Sequence, residues 1–348
     1  MLAALAALAG CDRTPQPPAT PPPAPPPRLW KYKADGAVTG GVAVVDRTAY
    51  FGDAKGTLHA VDLADGRRRW TYKATDSIAT TPLAHKGRVL VGDEDGTFHC
   101  VSAADGRKLW TFKTDDGPIH SSASAEANRV LFGSDDNFLY CLNLADGGLL
   151  WKLETDNYVY CTPMIDGGYV FIAGCDGELK MIDLAGGKVV RAAELKFHAA
   201  AAPVVLAADV IAVTMDGHVQ CFDRKTLDER WTTRLEEAEF YASPSLAGGL
   251  LVIGSRGDRR VYALDAVDGE KKWDFLTRGA VDCPPAIAGE RVYVGSGDGK
   301  VYALRLATGQ RVWQYVAGRG IGDGIAVAAG VLVFGDRGGT VHCLKRGP

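Results

Sequence analysis

The sequence has almost no charge imbalance: 39 Lys and Arg stand against 42 Asp and Glu, for a net charge of -3 over 348 residues. Binding to nucleic acid by neutralising phosphates needs a strong basic excess, so that class of partner is not expected. No stretch of 18 consecutive apolar residues occurs, so no spanning helix is expected either. The Cys-x-x-Cys and His-x-x-x-His spacings of compact metal and redox sites are missing. So are the Gly-x-Ser-x-Gly nucleophile elbow and the phosphate-binding loop.

What the chain does have is apolar content of 47% and 42 glycines, enough for a large core cut by many tight turns. Its first 27 residues differ from the rest. A short apolar run, Leu2 to Ala9, leads into Leu8-Ala9-Gly10-Cys11, which resembles the lipobox of bacterial lipoproteins and implies acylation at Cys11. Asp12, directly after it, is similar to the acidic inner-membrane retention signal of enterobacterial lipoproteins. Nine of the 13 residues from Pro15 to Pro27 are proline, a tract suited to a semi-rigid polyproline spacer. The expected organisation is a signal peptide and lipobox over 1–11, a Pro-rich linker over 12–28 and one folded domain over 29–348.

The seven tryptophans set the period of that domain. Trp30, Trp70, Trp110, Trp151, Trp231, Trp273 and Trp313 are separated by 40, 40, 41, 80, 42 and 40 residues. The double gap is centred on Arg191, giving eight equivalent positions. Each unit has four short apolar or alternating runs bounded by Gly or Asp turns. Asp95-Gly96, Asp176-Gly177, Asp216-Gly217 and Asp298-Gly299 are hairpin turns in which glycine tolerates positive φ. Units of this size and strand count predict an all-β, eight-bladed propeller of four-stranded antiparallel blades. The last unit has strands near Ile321–Ala328, Val331–Gly335 and Thr340–Lys345 but no fourth. Leu29 to Lys33, carrying Trp30, is expected to supply it and close the ring.

Ala263 to Trp273 (Ala-Leu-Asp-Ala-Val-Asp-Gly-Glu-Lys-Lys-Trp) resembles the eleven-residue tryptophan-docking motif of quinoprotein-type repeats. Ala60 to Trp70 matches equally well, Ala303 to Trp313 matches with Arg305 in place of Asp, and Cys100 to Trp110 and Cys141 to Trp151 are close variants. The resemblance covers residues 29 to 345. It implies that each Trp packs on the neighbouring blade. Two branches share the repeat: dehydrogenases that hold pyrroloquinoline quinone (PQQ) and calcium, and non-catalytic propellers such as the BamB family of outer-membrane assembly lipoproteins. The dehydrogenase branch has an adjacent Cys-Cys pair and long insertions. Here there is no Cys-Cys dipeptide, and blade spacing stays near 40.

Asp93, Asp95, Asp135 and Asp136 fall in inter-strand turns and are read as turn formers rather than calcium ligands. Cys100, Cys141, Cys221 and Cys343 share one repeat position, as do Cys161 and Cys283; all are read as packed strand thiols. His59, His99 and His342 share an aromatic slot with Tyr140, Tyr262 and Tyr302. The innermost strands are expected to begin at the channel mouth with Thr39, Ala79, His120, Tyr160, Ala200, Tyr241, Asp282 and Gly322, the last followed by Asp323. The varied groups His120, Tyr160, Tyr241, Asp282 and Asp323 are candidates for peptide or small-ligand binding, or else a solvated rim. Arg191 either covers with its stem the patch that Trp covers elsewhere, or marks a weakened seam or partner contact.

Together these features predict a non-enzymatic, lipid-anchored interaction scaffold of the bacterial envelope. It would face the periplasm, at the outer membrane rather than the inner, with other envelope proteins as partners and no cofactor. The alternative is a quinone-binding dehydrogenase or a ligand-binding sensor.

Overall fold

Alternating short runs of Val, Ile, Leu and Phe, punctuated by glycine turns, can bury both faces only if four-stranded sheets stack on one another. The computed structural model describes residues 24–347 and shows that stacking. The lipobox with Cys11 and most of the Pro-rich linker lie outside the described residues. Within them the strands form eight four-stranded antiparallel sheets, each a simple meander. Blade 1 runs Ala43–Val45, Thr48–Gly52, Thr57–Asp62, Arg68–Lys73 from channel to rim. Blades 2 to 7 repeat it, ending in the outer strands Lys108–Lys113, Leu149–Glu154, Val189–Glu194, Glu229–Arg234, Lys271–Leu276 and Arg311–Val316.

Blade 8 joins the two ends of the chain. Its strands are Ile321–Ala328, Val331–Asp336, Thr340–Lys345 and the N-terminal Arg28–Lys33, which pairs antiparallel with Thr340–Lys345. The closure expected from the repeat is therefore present, and Trp30 lies opposite Cys343. In every blade the residue facing the Trp position is small or flexible: Ala60, Cys100, Cys141, Met181, Cys221, Ala263, Ala303 and Cys343. These are buried, and burial pushes the Cys100, Cys141, Cys221 and Cys343 thiols up to about 12. A register shift in each outer-strand pair sits beside the Trp position, adding the local twist of a bulge at the rim.

The indoles hold blade to blade. Trp30, Trp70, Trp110, Trp151 and Trp273 each donate their Nε1–H to a backbone carbonyl of the next blade, at 2.8 to 3.1 Å. Six of the rings also lie flat on a glycine in the following turn. A Cβ on Gly66, Gly106, Gly147, Gly187, Gly269 or Gly309 would fall 2.5 to 2.8 Å from the indole, and all six glycines have positive φ. Glycine is thus required twice at this position, for space and for backbone.

The aromatic slot carries a second seam contact. His59, His99 and His342 are buried and bond through Nε2 to Asp53, Asp93 and Asp336 at 2.8 to 2.9 Å. Their Nδ1 atoms meet Tyr32, Tyr72 and Tyr315 of the preceding blade at 3.0, 3.0 and 3.3 Å. One tautomer satisfies all three relays: Nε2–H donates to the carboxylate and Nδ1 accepts the phenol. Where the slot holds Tyr140, Tyr262 or Tyr302, the bonded acid is four residues earlier, not six: Asp136, Asp258 or Asp298. The acid moves with the slot residue: the position six earlier is Ser134, Arg256 or Ser296 in the Tyr blades, while the position four earlier is Lys55 and Gly338 in two of the three His blades.

One expectation is corrected. The mouth residues do not begin the inner strands of blades 1 to 7, which start only at Ala43, Leu83, Ser124, Met164, Val204, Ser245 and Ala286. Ala79, His120, Tyr160, Ala200, Tyr241 and Asp282 lie on extended approach segments just before them. In five blades a proline (Pro82, Pro163, Pro203, Pro244, Pro285) precedes the strand and cannot donate to the ladder, but blades 1 and 3 start at the equivalent place with Val42 and Ala123 there, so proline is not the common cause. Blade 8 has no such proline, and its inner strand extends from Ile321.

Candidate functional site

The approach segments are held in register by the turn between the second and third strands of each blade. In seven blades the backbone N–H of Ala54, Glu94, Asp135, Met215, Arg256, Gly297 or Arg337 donates to a carbonyl just upstream of the mouth residue. Two concentric sets of side chains are thereby brought to the channel opening, one from the approach segments and one from these turns. His120, Tyr160, Tyr241, Asp282 and Asp323 all line one cavity of about 390 Å³ there. The rest of its wall is mostly small, including Ala79, Thr81, Ser122, Ala200 and Ser243.

The polar groups fall into two clusters. On one side His120 Nδ1 lies 2.9 Å from Asp135 Oδ2, and its ring meets Tyr160 edge-on at 5.6 Å between centroids. The bond to Asp135 raises the His120 pKa above its ordinary value against the opposing effect of burial. Burial, with Asp135 adding to it, pushes the Tyr160 phenol up to about 12. On the other side Arg256 stacks on Tyr241, 3.9 Å from the ring centroid, and donates Nε–H to Asp282 at 2.7 Å. Arg337 approaches the second Asp282 oxygen at 3.8 Å.

Asp323 completes the second cluster. Its backbone N–H donates to the Thr39 carbonyl at 2.8 Å, bridging blade 8 to blade 1. Its side chain is open to the channel yet surrounded by protein on the other sides. That enclosure, with repulsion from Asp282, raises the carboxyl to about 6 although Arg337 and Arg256 pull it down.

Sequence reasoning missed Asp135, Arg256 and Arg337 as mouth residues. Asp135 was readable only as a turn former. The available signal was the turn position itself: these residues recur once per repeat, and the position is charged in blades 2, 3, 6 and 8. Asp93 and Asp136 do serve as turn acceptors, through Thr97 N–H and Phe138 N–H.

A calcium–quinone site would need free carboxylates converging on one point. Among the described residues no group of three or more His, Cys, Asp or Glu is arranged to hold a metal ion. Asp282 is bonded to Arg256, and Asp135 is bonded to His120. The donor set at the mouth does not fit that group.

The fold and repeat define an eight-bladed β-propeller of the quinoprotein repeat type. The chain belongs to the family described as outer membrane protein assembly factor BamB, whose model matches residues 27–226 and 175–320. Among solved structures it is similar to BamB from Moraxella catarrhalis at a TM-score of 0.81 and 18% identity, over 92% of this chain and 99% of that one. The computationally designed Ika8 protein gives 0.80 and 18%, over 91% and 99%. Quinohemoprotein alcohol dehydrogenase from Comamonas testosteroni gives 0.78 and 14%, over 92% of this chain and 77% of the enzyme. At these identities the likeness is one of fold. No curated protein matches the chain by sequence.

Proposed function

We propose that this chain is a non-catalytic interaction scaffold of the bacterial envelope, tethered through a lipid on Cys11 and acting with the proteins that assemble outer-membrane β-barrels. The observation that carries this reading is the family match over most of the propeller. The geometry is consistent with it: two neighbouring blades carry exposed aliphatic pairs on their outer strands, Leu149-Leu150 and Val189-Val190, where blade 1 has Arg68-Arg69 and blade 6 has Lys271-Lys272. Apolar side chains replacing charged ones on a rim favour a protein partner. The test is an affinity pull-down from envelope membranes with the full-length, lipid-modified protein. Recovery of the barrel-assembly proteins supports the reading, and recovery of nothing specific overturns it.

A second reading, ligand binding at the channel mouth, is favoured by one observation. Asp135 Oδ1 is buried without a protein hydrogen-bond partner beside His120 and Tyr160. A small ligand bearing a hydrogen-bond donor would satisfy it. Thermal-shift measurements with PQQ and calcium, and separately with short peptides, separate the quinone alternative from a peptide ligand.

A further inference from the structure

One seam of the ring departs at three positions together from the six others that have a complete turn between the third and fourth strands. Between blades 4 and 5 the Trp is Arg191. The apolar second residue of the turn (Leu63, Ala103, Leu144, Leu184, Ala266, Leu306 elsewhere) is Arg224. The glycine under the indole is Leu227. The three changes are physically coupled. Without an indole above it, the turn no longer needs a bare backbone, and the Leu227 side chain is buried in the seam despite a φ of 59°. Arg191 still donates to this turn, but one residue later than the indoles do: its Nε–H bonds the Lys225 carbonyl at 2.7 Å, whereas the indoles bond the carbonyl at the position of Arg224. It does not replace the apolar contact: the guanidinium side chain is exposed, and a cavity of about 500 Å³ opens beside it.

This cavity is a socket of mixed character. Its apolar lining is Met181, Phe171, Tyr169 and Val190. Arg191, Arg224 and Lys225 stand on the rim. Arg224 is paired with Asp166, whereas Arg191 and Lys225 have no carboxylate partner among the described residues. The socket is continuous with the exposed Val189-Val190 pair, and Leu149-Leu150 occupies the same positions one blade earlier.

We propose that this socket receives an aromatic side chain of a partner polypeptide flanked by carboxylates. At the other seams an indole from the chain lies over the turn glycine; here Leu227 takes part of that space, and the cavity that remains beside Arg191 is lined by Tyr169, Phe171, Met181 and Val190, apolar groups that suit a partner's aromatic ring. Here a thioether offers that ring a favourable face. The cationic rim supplies charge complementarity to the flanking acids and disfavours basic segments. The proposal deepens the scaffold reading and rests on it.

The probe is the peptide acetyl-Glu-Trp-Glu-amide, followed by saturation-transfer NMR with the full chain. Acetyl-Glu-Ala-Glu-amide and acetyl-Lys-Trp-Lys-amide serve as comparators. Transfer to the indole protons is expected for the acidic Trp peptide, with a response at least fivefold weaker for either comparator. The triple variant Arg191→Trp, Arg224→Leu, Leu227→Gly restores the ordinary seam and fills the socket from within. It is expected to unfold no earlier than the wild type and to lose the response at least fivefold. The variant Arg191→Glu, Lys225→Glu reverses the rim without filling the cavity, and the same loss is expected. An undiminished response in either folded variant, an equal response to the basic peptide, or no response from the wild type overturns the proposal. Pull-downs that recover the same envelope proteins with wild type and triple variant overturn the socket and leave the scaffold standing. A wild type that recovers none overturns the scaffold.

Discussion

Trp30 donates its indole N–H to the carbonyl of Leu63 at 2.9 Å, so the N-terminal strand that completes blade 8 is also fastened to blade 1. One residue thus serves both the closure of the last sheet and the seam beyond it. Trp30 is 8% exposed, and a large buried aromatic lost from a packed seam costs about 3–5 kcal/mol. Trp30→Ala is expected to lower stability by that amount in urea unfolding. Arg191→Ala, at the seam where the side chain is exposed and makes one hydrogen bond, is expected to cost only about 1 kcal/mol. Equal costs would mean that the indoles do not carry the seams.

The Tyr–His–Asp relays make the propeller sensitive to acid. Burial alone would raise the Asp53 and Asp93 carboxyls, but the bonds from His59 and His99 and from the Thr57 and Thr97 amides outweigh it and hold both below the ordinary 3.8. Burial also lowers His342 below its ordinary 6.5 against the pull of Asp336. All three shifts are downward, so their stabilisation is complete above the unfolded-state values. It is lost as pH falls, first for His342 below 6.5 and then for the aspartates below 3.8. Replacing His342 with Gln is expected to flatten the upper part of this acid dependence, measured as unfolding free energy between pH 7 and 5.

Asp323 works in the opposite sense. Its folded-state value near 6 lies above the ordinary 3.8, so folding disfavours its charged form. Its contribution is complete below pH 3.8 and is lost as pH rises through about 6. Asp323→Asn is therefore expected to be more stable than wild type at pH 7.5 and to lose most of that advantage by pH 4.5. The check is the difference between the two unfolding free energies across this range. A constant difference would show that the carboxyl does not titrate there.

The His120–Asp135 pair gives a local test of the mouth. His120 is expected to titrate above 6.5 by NMR in the wild type and to fall back when Asp135 is replaced by Asn, because that bond is the leading cause of the upward shift. An unchanged value would mean that the ring faces the channel without this partner.

The seven described cysteines are buried, and burial raises their thiols to about 11 or 12. A thiol, unlike a thiolate, is a poor nucleophile. None is expected to react with iodoacetamide at pH 8 in the folded protein, and all are expected to react in urea, as read by peptide mass spectrometry. Rapid native labelling at Cys175, beside the mouth, would indicate local opening there.

The blade count, the closing strand and the role of the tryptophans were all legible in the sequence, because each depends on a feature that repeats. A period near 40 residues with one Trp per unit leaves few other ways to bury the apolar runs. The shared positions of Cys100, Cys141, Cys221 and Cys343, and of His59, His99 and His342, were legible for the same reason. The pairing of each slot residue with its acid also has a sequence trace, since Asp stands six residues before each of His59, His99 and His342 but four before Tyr140, Tyr262 and Tyr302; that these groups bond is shown only by the structure.

The tertiary structure alone decided what faces what across the ring. His120, Tyr160, Tyr241, Asp282 and Asp323 are separated by as many as 203 residues, yet they line one cavity because eight approach segments converge on a common axis. Their partners Asp135, Arg256 and Arg337 come from turns whose local sequence marks them only as turns. The seam at Arg191 shows the same division. The sequence marks the missing indole, but only packing shows that Leu227 enters the seam, that Arg191 bonds the turn one residue later than an indole would, and that an open cationic socket remains. Repetition along a chain is one-dimensional and can be read directly, whereas the contacts of a closed ring depend on distances that no local pattern encodes.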